Sequence, residues 1–401
     1  MHLRYNYRLY PTAGQQVAMA RAFGCARAVF NDGLRTRERA HEVGLPYLTD
    51  AELSRRLTLA KHSPERAWLN EVSSVVLQQA LADLNAAYRN HFASMTGARK
   101  GPKVAVPRLR SRRDHRQAIR FTANARFRVL PSGKLRLPKI GDVPVRWSRR
   151  LPSRPSSVTV IKDSAGRYFA SFVVHAAYNA LPETESAIGI DLGLKHFAVL
   201  SNGRKITAPQ FLRRAEKNLK RRQRELSRKQ KGSKNRERAR AYVARAHARV
   251  TDARRNFHHQ LSTALIRENQ AVAVEDLAVN GLTRTWLAKS VHDAGWSAFV
   301  TMLAYKARLY GREFHRIDRF TPTSQVCSVC GTKDGAKPLH VRTWRCGACG
   351  VWLDRDMNAA VNVAKAAGLA VTVCGAQVRP GLALAPRGEA ETHPKSPLEV
   401  E

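Results

Sequence analysis

The chain has 401 residues and carries 70 Lys and Arg against 31 Asp and Glu, a formal charge of +39. A length of this order allows roughly two to four domains, and so large a charge opposes compaction unless polyanions neutralise it, which makes nucleic acid the expected partner. The composition excludes three classes: no run of 18 apolar residues offers a membrane span, the first residues lack a signal-peptide core, and six cysteines, four of them in paired knuckles, indicate a metal site in a reducing cytoplasm rather than a disulfide framework.

Residues 3–10 alternate in polarity and read as a strand stopped by Pro11. Thr12 and Gln15 have capping-box spacing for a helix reaching about residue 40. A second helix is expected from Pro64 to Phe92, with Val72, Val76, Ala80, Leu84 and Tyr88 on one stripe. The two helices read as an all-α lobe inserted after the first strand. From Arg99 to Arg116, eight Lys and Arg accompany one Asp, and Pro102 and Pro107 break any helix. That segment suits an extended arm along phosphates, with a solvated linker as the bland alternative.

Short strands follow at 118–122, 127–130, 134–137 and 144–147, then a hairpin of 157–161 and 168–174 turning at Asp163-Ser164-Ala165-Gly166. Together they read as a small β-barrel-like region that residues 3–10 join as first strand. Further on, Phe211 to Lys231 reads as a helix with Leu212, Leu219 and Leu226 at heptad spacing. A return helix through Ala239, Val243, Ala246, Val250, Phe257, Leu261 and Leu265 makes an antiparallel hairpin with a basic outer face; a dimeric coiled-coil seam is the alternative. Ala278 to Val291 reads as a loop, Trp296 to Leu309 as a helix and Phe314 to Ile317 as a strand, while the chain from about Val371 has no periodicity and reads as disordered.

Two apolar runs end in acids: Ala187-Ile188-Gly189-Ile190 before Asp191, and Ala271-Val272-Ala273-Val274 before Glu275. Buried parallel strands are continuous apolar runs, and a carboxylate closing one is either in a turn, paired, or on a metal. A third acidic point is Asp354-Arg355-Asp356, at the start of a helix continued by Asn358-Ala359-Ala360-Val361-Asn362. Each acid alone has an ordinary reading as turn or helix cap. Their conjunction, strand-acid, strand-acid and helix-start acid, suits an RNase H-like sheet that gathers carboxylates for two divalent ions in phosphodiester hydrolysis. Cys327-x2-Cys330 and Cys346-x2-Cys349 have the spacing of a closed, tetrahedral four-cysteine zinc site, with Gly331 and Gly350 after the knuckles and no open position for catalysis. His340 reads as an ordinary polar residue, and Cys25 and Cys374 as bystanders.

Gly189-Ile190-Asp191-Leu192-Gly193, Val274-Glu275-Asp276-Leu277, Thr323-Ser324-Gln325 before the first knuckle, and Asp354-Arg355-Asp356-x-Asn358-Ala359-Ala360-x-Asn362 resemble the TnpB family, transposon-encoded RNA-guided nucleases related to type V CRISPR effectors. The opening Arg-Leu-Tyr-Pro, Leu137-Pro138-Lys139-Ile140-Gly141 and Asp293-Ala294-Gly295-Trp296 extend the likeness over most of the chain; Leu353 departs from it, at a position where relatives often carry a polar residue. The resemblance implies an α/β RNase H-like (RuvC) nuclease domain with an inserted zinc ribbon, and an N-terminal β-barrel-like domain carrying a helical lobe. The implied division is 1–10 and 105–185 as a barrel-like wedge, 11–104 as a helical recognition lobe, 186–320 as the first nuclease part with the basic hairpin, 321–352 as the ribbon, 353–370 as the nuclease end and 371–401 as a disordered tail.

For function, the resemblance implies Asp191, Glu275 and Asp356 as a Mg²⁺-binding catalytic triad, with Asp354 a neighbour, and Cys327, Cys330, Cys346 and Cys349 as zinc ligands. It implies a monomer in the bacterial cytoplasm, associated with the nucleoid, that holds a transposon-end guide RNA (omega RNA) and cuts double-stranded DNA next to a short flanking motif. Ser54, Gln78 and Thr122 are candidate motif readers, being polar groups on the lobe and its adjoining strand. Trp286, Trp296 and Trp344 are candidate stacking partners for single-stranded DNA, Trp296 fitting core packing better. The competing classes are a catalytically silent RNA-guided repressor, a transposase accessory that only binds DNA, and a RuvC nuclease that needs no RNA.

Overall fold

The structure is a computed structural model that describes residues 1–370 apart from His115, Asn179 and Leu339; the expected disordered tail and Cys374 lie outside the described residues. The chain divides into two units, one of residues 1–179 with 214–252, the other of 180–213 with the chain from 253 onward.

In the first unit, β1 (His2–Leu9) alternates exposed and buried side chains until Tyr7 and Leu9 enter the core. Thr12 caps α1 (Ala13–Glu42) with the reciprocal Gln15 bond of a capping box. Two features differ from the expected lobe. An additional helix, α2 (Asp50–His62), follows an N-cap at Thr49, whose hydroxyl accepts the Glu52 N–H. The helix expected over 64–92 is broken: Pro64–Glu71 is 3₁₀, Val72 is extended, and α3 (Ser74–Met95) starts afresh. Leu69 and Val72 stay buried across the break, so the apolar periodicity runs on while the backbone does not.

The basic segment after α3 has no regular structure but is pinned to the helices. Ser94 Oγ accepts the Val104 N–H at 2.9 Å, and Asn31 brackets the Arg110 backbone with bonds of 2.8 and 2.9 Å. Seven strands follow: β2 (Gln117–Thr122), β3 (Arg128–Val129), β4 (Leu135–Leu137), β5 (Gly141–Val143), β6 (Val145–Arg146), β7 (Ser157–Lys162) and β8 (Tyr168–His175). They form an antiparallel sheet in the order β2-β7-β8-β1-β6 and a separate β3-β4-β5 sheet, so β1 is paired on both sides by strands distant in sequence. One apolar core, from Tyr7 and Met19 through Leu84 to Phe172, joins helices and sheets.

A helix α4 (Phe211–Ser227) and a helix α5 (Lys234–Glu268) form the hairpin within one chain: Arg236 donates to the Leu226 carbonyl at 3.1 Å, and Arg222 lies over Tyr242. The hairpin meets the β7–β8 turn where Arg167 bridges Asp163 and Asp252.

The second unit is built on β9 (Ala187–Asp191), β10 (His196–Leu200), β11 (Lys205–Thr207), β12 (Ala271–Glu275) and, further on, β13 (Glu313–Ile317), in the order β11-β10-β9-β12-β13. The first three form an antiparallel meander and β12 and β13 run parallel to β9, the arrangement expected of an RNase H-like sheet. Its two faces are covered differently. Ile188, Ile190, Val272 and Val274 face the buried side of α5 and α8 (Trp296–Tyr310), while Ala273 on the opposite face meets Val363.

The stretch expected as a loop holds two short helices, α6 (Val279–Leu282) and α7 (Ala288–Ala294). Residues this few give no readable periodicity. Asp293 at the end of α7 is buried and accepts the Leu212 N–H at 2.9 and 3.0 Å, capping α4 from a distant part of the chain. The small sheet of β14 (Thr343–Arg345) and β15 (Trp352–Asp354) precedes α9 (Arg355–Ala366). No described helix is long and apolar enough to cross a membrane.

Candidate active site and metal centre

Asp191 and Glu275 are the last residues of adjacent parallel strands, in register through the pair Ile190 and Val274. Neighbouring strands lie about 4.8 Å apart, and alternation turns both carboxylates to the face opposite Ile190 and Val274, the face that α9 covers. Helix α9 reaches that face because residue 189 is glycine. A Cβ there would lie 2.1 Å from the Ala360 carbonyl oxygen and 2.6 Å from the Ala364 nitrogen. The helix backbone therefore rests directly on β9, and its first turn, with Asp356, stands at the strand's acidic end.

The electrostatics carry the mark of this gathering. Burial, then the carboxylates of Asp356 and Glu275, push the Asp191 carboxyl up to about 7; burial and Asp276 raise Glu275. Asp354 behaves differently. Although burial opposes it, the bond from Lys205 Nζ at 2.6 Å and those from the backbone N–H groups of Met357 and Asp356 hold its carboxyl below the ordinary range. It caps α9, whereas the Asp356 carboxylate, among the described residues, pairs with Arg342 Nη1 at 3.4 Å. Asp191 is raised first by burial and then by two neighbouring carboxylates, an environment that a cation would relieve, although among the described residues the three carboxylates do not all come within 4.8 Å of one another as the cysteine sulfurs do.

The shift has a testable sign. Because the folded-state value for Asp191 lies above the ordinary 3.8, its contribution to stability is lost as pH rises from that value to about 7, by up to roughly 4 kcal/mol. Thermal melts of metal-free protein at pH 5 and pH 8 are expected to show a larger loss for the wild type than for Asp191→Asn (roughly one proton's linkage), and Mg²⁺ is expected to narrow the difference.

Among the described residues, only Cys327, Cys330, Cys346 and Cys349 bring metal-ligating atoms within 4.8 Å of one another. Two sulfur pairs, Cys327–Cys349 and Cys330–Cys346, are 3.7 Å apart. A tetrahedron with Zn–S bonds of about 2.3 Å has edges of about 3.8 Å, so the donor set fits zinc. The knuckle turns close with Gly331 and Gly350 N–H bonds to the Cys327 and Cys346 carbonyls, both glycines at positive φ. His340 is outside the cluster.

Two asparagines bind this ribbon to α9. Asn358 and Asn362 are buried one turn apart and each donates through Nδ2 to the Thr323 and Val326 carbonyls, while Asn358 Oδ1 accepts the Ser328 N–H at 2.7 Å. The sequence offers both as motif positions without a role; their spacing of four, beside a knuckle, is the signal of a shared partner. Asn358→Ala strands the buried Ser328 N–H and is expected to cost about 1–3 kcal/mol, read by chemical denaturation of the zinc-loaded protein.

The candidate motif readers are partly together: Gln78 Nε2 on α3 donates to Ser54 Oγ on α2 at 3.0 Å, while Thr122, at the end of β2, hydrogen-bonds Asn124. Of the tryptophans, Trp286 is 86% exposed. Trp296 and Trp344 are buried, the latter under Lys337 Nζ at 3.9 Å, which removes both as stacking partners for DNA.

Known proteins match the chain over nearly its whole length. A "Putative RNA-guided DNA endonuclease" of Streptomyces pristinaespiralis is 44% identical over 380 residues, covering 94% of this chain and 92% of that protein. The chain belongs to the TnpB family. A second relative, "Putative RNA-guided DNA endonuclease InsQ" of Escherichia coli K12, is 30% identical over 94% of this chain and 95% of its own length.

Three family models match segments of this TnpB family member: "Probable transposase" (OrfB_IS605) over residues 162–285, "Cas12f1-like, TNB domain" over 296–363 and "Helix-turn-helix domain" over 1–45. The last covers β1 and the unbroken α1, with no turn inside the helix. Among solved structures, the "Cryo-EM structure of the Cas12f1-sgRNA-target DNA complex" superposes with a TM-score of 0.52 at 14% identity, over 87% of this chain and 82% of that one, a likeness of fold.

Proposed function

We propose that this chain is an RNA-guided double-stranded DNA endonuclease of a transposon, acting as a monomer in the bacterial cytoplasm and cutting next to a short flanking motif. The observation that carries the reading is the placement of Asp191, Glu275 and Asp356 toward one sheet edge, with Asp191 raised by burial and then by the charges of Asp356 and Glu275. In this reading the triad holds Mg²⁺, which when bound would activate water and neutralise charge on the leaving 3′ oxygen. Asp354 fixes the first turn of α9, and Arg342, beside Asp356, is within reach of a phosphate. Trp286 stacks on single-stranded DNA, and the four cysteines hold structural zinc that, through Asn358 and Asn362, steadies the helix carrying Asp356.

Guide RNA lies on the barrel-like wedge, the pinned basic segment and the nuclease surface, where a charge of +39 favours it. Base pairing selects the target, and Ser54, Gln78 and Thr122 read the flanking motif. The intact triad favours this reading over a silent repressor or an accessory that only binds DNA.

The test is cleavage by the chain purified with its bound RNA, on plasmids whose guide-matched target is flanked by randomised bases. A narrow set of flanks is expected to be cut, and Ser54→Ala or Gln78→Ala to weaken or broaden it by about fivefold to a hundredfold. Cutting that ignores the flanks, or that needs no RNA, contradicts the proposal.

A further inference from the structure

The helical lobe carries an aromatic cluster for which nuclease chemistry has no use. Tyr47, in the connection between α1 and α2, and Phe92, on α3, are 51% and 46% exposed although large and apolar. Their rings meet edge to face with centroids 6.0 Å apart and planes at 78°, and Phe92 stacks on the buried Tyr88 at 5.8 Å. Beneath them Arg37 is buried with its guanidinium between two ring faces, 4.5 Å from Tyr47 and 5.1 Å from Tyr88. Its Nε donates to the Leu48 carbonyl and its Nη2 to Asp50, so the wedge is fixed at both ends.

Such a stack is rigid before anything binds, and rings held in place lose little entropy on contact. Exposed rings held in place by packed neighbours suit contact with a planar partner. Its surroundings choose the partner. Arg89, one turn before Phe92, acts electrostatically on Tyr47, and the backbone of Arg99, which opens the basic segment, closes onto the Ala93 carbonyl at 2.9 Å at the end of α3. A second copy of a chain carrying +39 would meet strong repulsion at long range, whereas a polyanion is drawn in.

We infer that Tyr47 and Phe92 form a stacking platform for an unpaired base of single-stranded RNA, whose backbone continues along the basic segment starting at Arg99. The occupant follows from the proposed guide-RNA reading, but the platform is testable without it, because stacking accepts any base.

The experiment titrates the full chain, freed of nucleic acid, with a short oligoadenylate RNA containing 2-aminopurine, whose fluorescence falls on stacking; a DNA oligomer of the same sequence runs in parallel. The RNA is expected to be quenched by the wild type and by Phe92→Tyr. Phe92→Leu and Tyr47→Leu, which keep apolar surface but lose the ring, are expected to lose the quench and about fivefold or more in affinity. Unchanged melting temperatures confirm that the exposed substitutions leave the fold intact. Equal quench and affinity for the Leu variants overturns the inference, as does a ring effect seen with DNA alone. A change in light-scattering mass between wild type and Leu variants assigns the surface to a second copy and overturns it too. None of these readings depends on Asp191, Glu275 or Asp356, so a failed platform and a failed nuclease are told apart.

Discussion

Replacing Asp356 by alanine is expected to lower guided DNA cleavage at least about a thousandfold while leaving RNA and DNA binding within a few-fold, whereas Asp354→Ala, two residues away, is expected to leave cleavage within about tenfold. The contrast rests on what each carboxylate touches. Asp354 is engaged with Lys205 and with two backbone N–H groups at the start of α9. Its loss removes a helix cap, worth about 0.5–2 kcal/mol, and appears in a thermal melt. Asp356 has no capping bond, and its charge acts on Asp191 across the sheet edge. Single-turnover cleavage rates, with binding measured separately, resolve the two. Equal losses from both variants would mean that α9 presents the wrong acid.

The second large effect is expected at Gly189, which carries no functional group at all. Alanine there puts a methyl carbon 2.1 Å from the Ala360 carbonyl oxygen and 2.9 Å from the Ala364 Cβ, so helix and strand must separate. Overpacking of this kind costs about 1–3 kcal/mol, occasionally more. The helix that moves carries Asp356, and misplacement by about 1 Å can cost a hundredfold in rate. Gly189→Ala is therefore expected to lower both the unfolding midpoint and cleavage, the latter by about a hundredfold or more, with zinc content unchanged. Gly24→Ala is the control: it lies within α1 with nothing within 4 Å of the added carbon, and is expected to be neutral or to stabilise by up to about 1 kcal/mol.

These two residues also show where a sequence stops being legible. Asp191 and Glu275 stand out because each closes an apolar strand, where a carboxylate sits in a turn, is paired or is on a metal. The knuckles were visible because thiolate spacing constrains geometry locally. Gly189 sat inside one of the same strands, but nothing in the run Ala-Ile-Gly-Ile says that a helix some 170 residues later needs the missing side chain. Asp293 and the pair Asn358 and Asn362 were opaque for the same reason: each satisfies backbone groups far away in sequence, and polar side chains of this kind read as surface until their partners are known.

The helix α2 was missed although Thr49 and Glu52 hold a capping spacing, because the segment is short and mostly polar on its open face. The break before α3 was missed because buried Leu69 and Val72 keep the periodicity going through an extended residue. The basic segment gave the opposite lesson. Its composition suits a loose linker, yet Asn31, Ser94 and His91 fasten its backbone while most of its cations stay outward.

The measurement that bears most directly on the whole account is cleavage of one plasmid by the purified RNA–protein complex, with guide match, Mg²⁺ and Asp191 varied one at a time. Linear product is expected only when guide and target match, Mg²⁺ is present and Asp191 is intact. Cleavage that persists in Asp191→Ala, or with a mismatched guide, would contradict it.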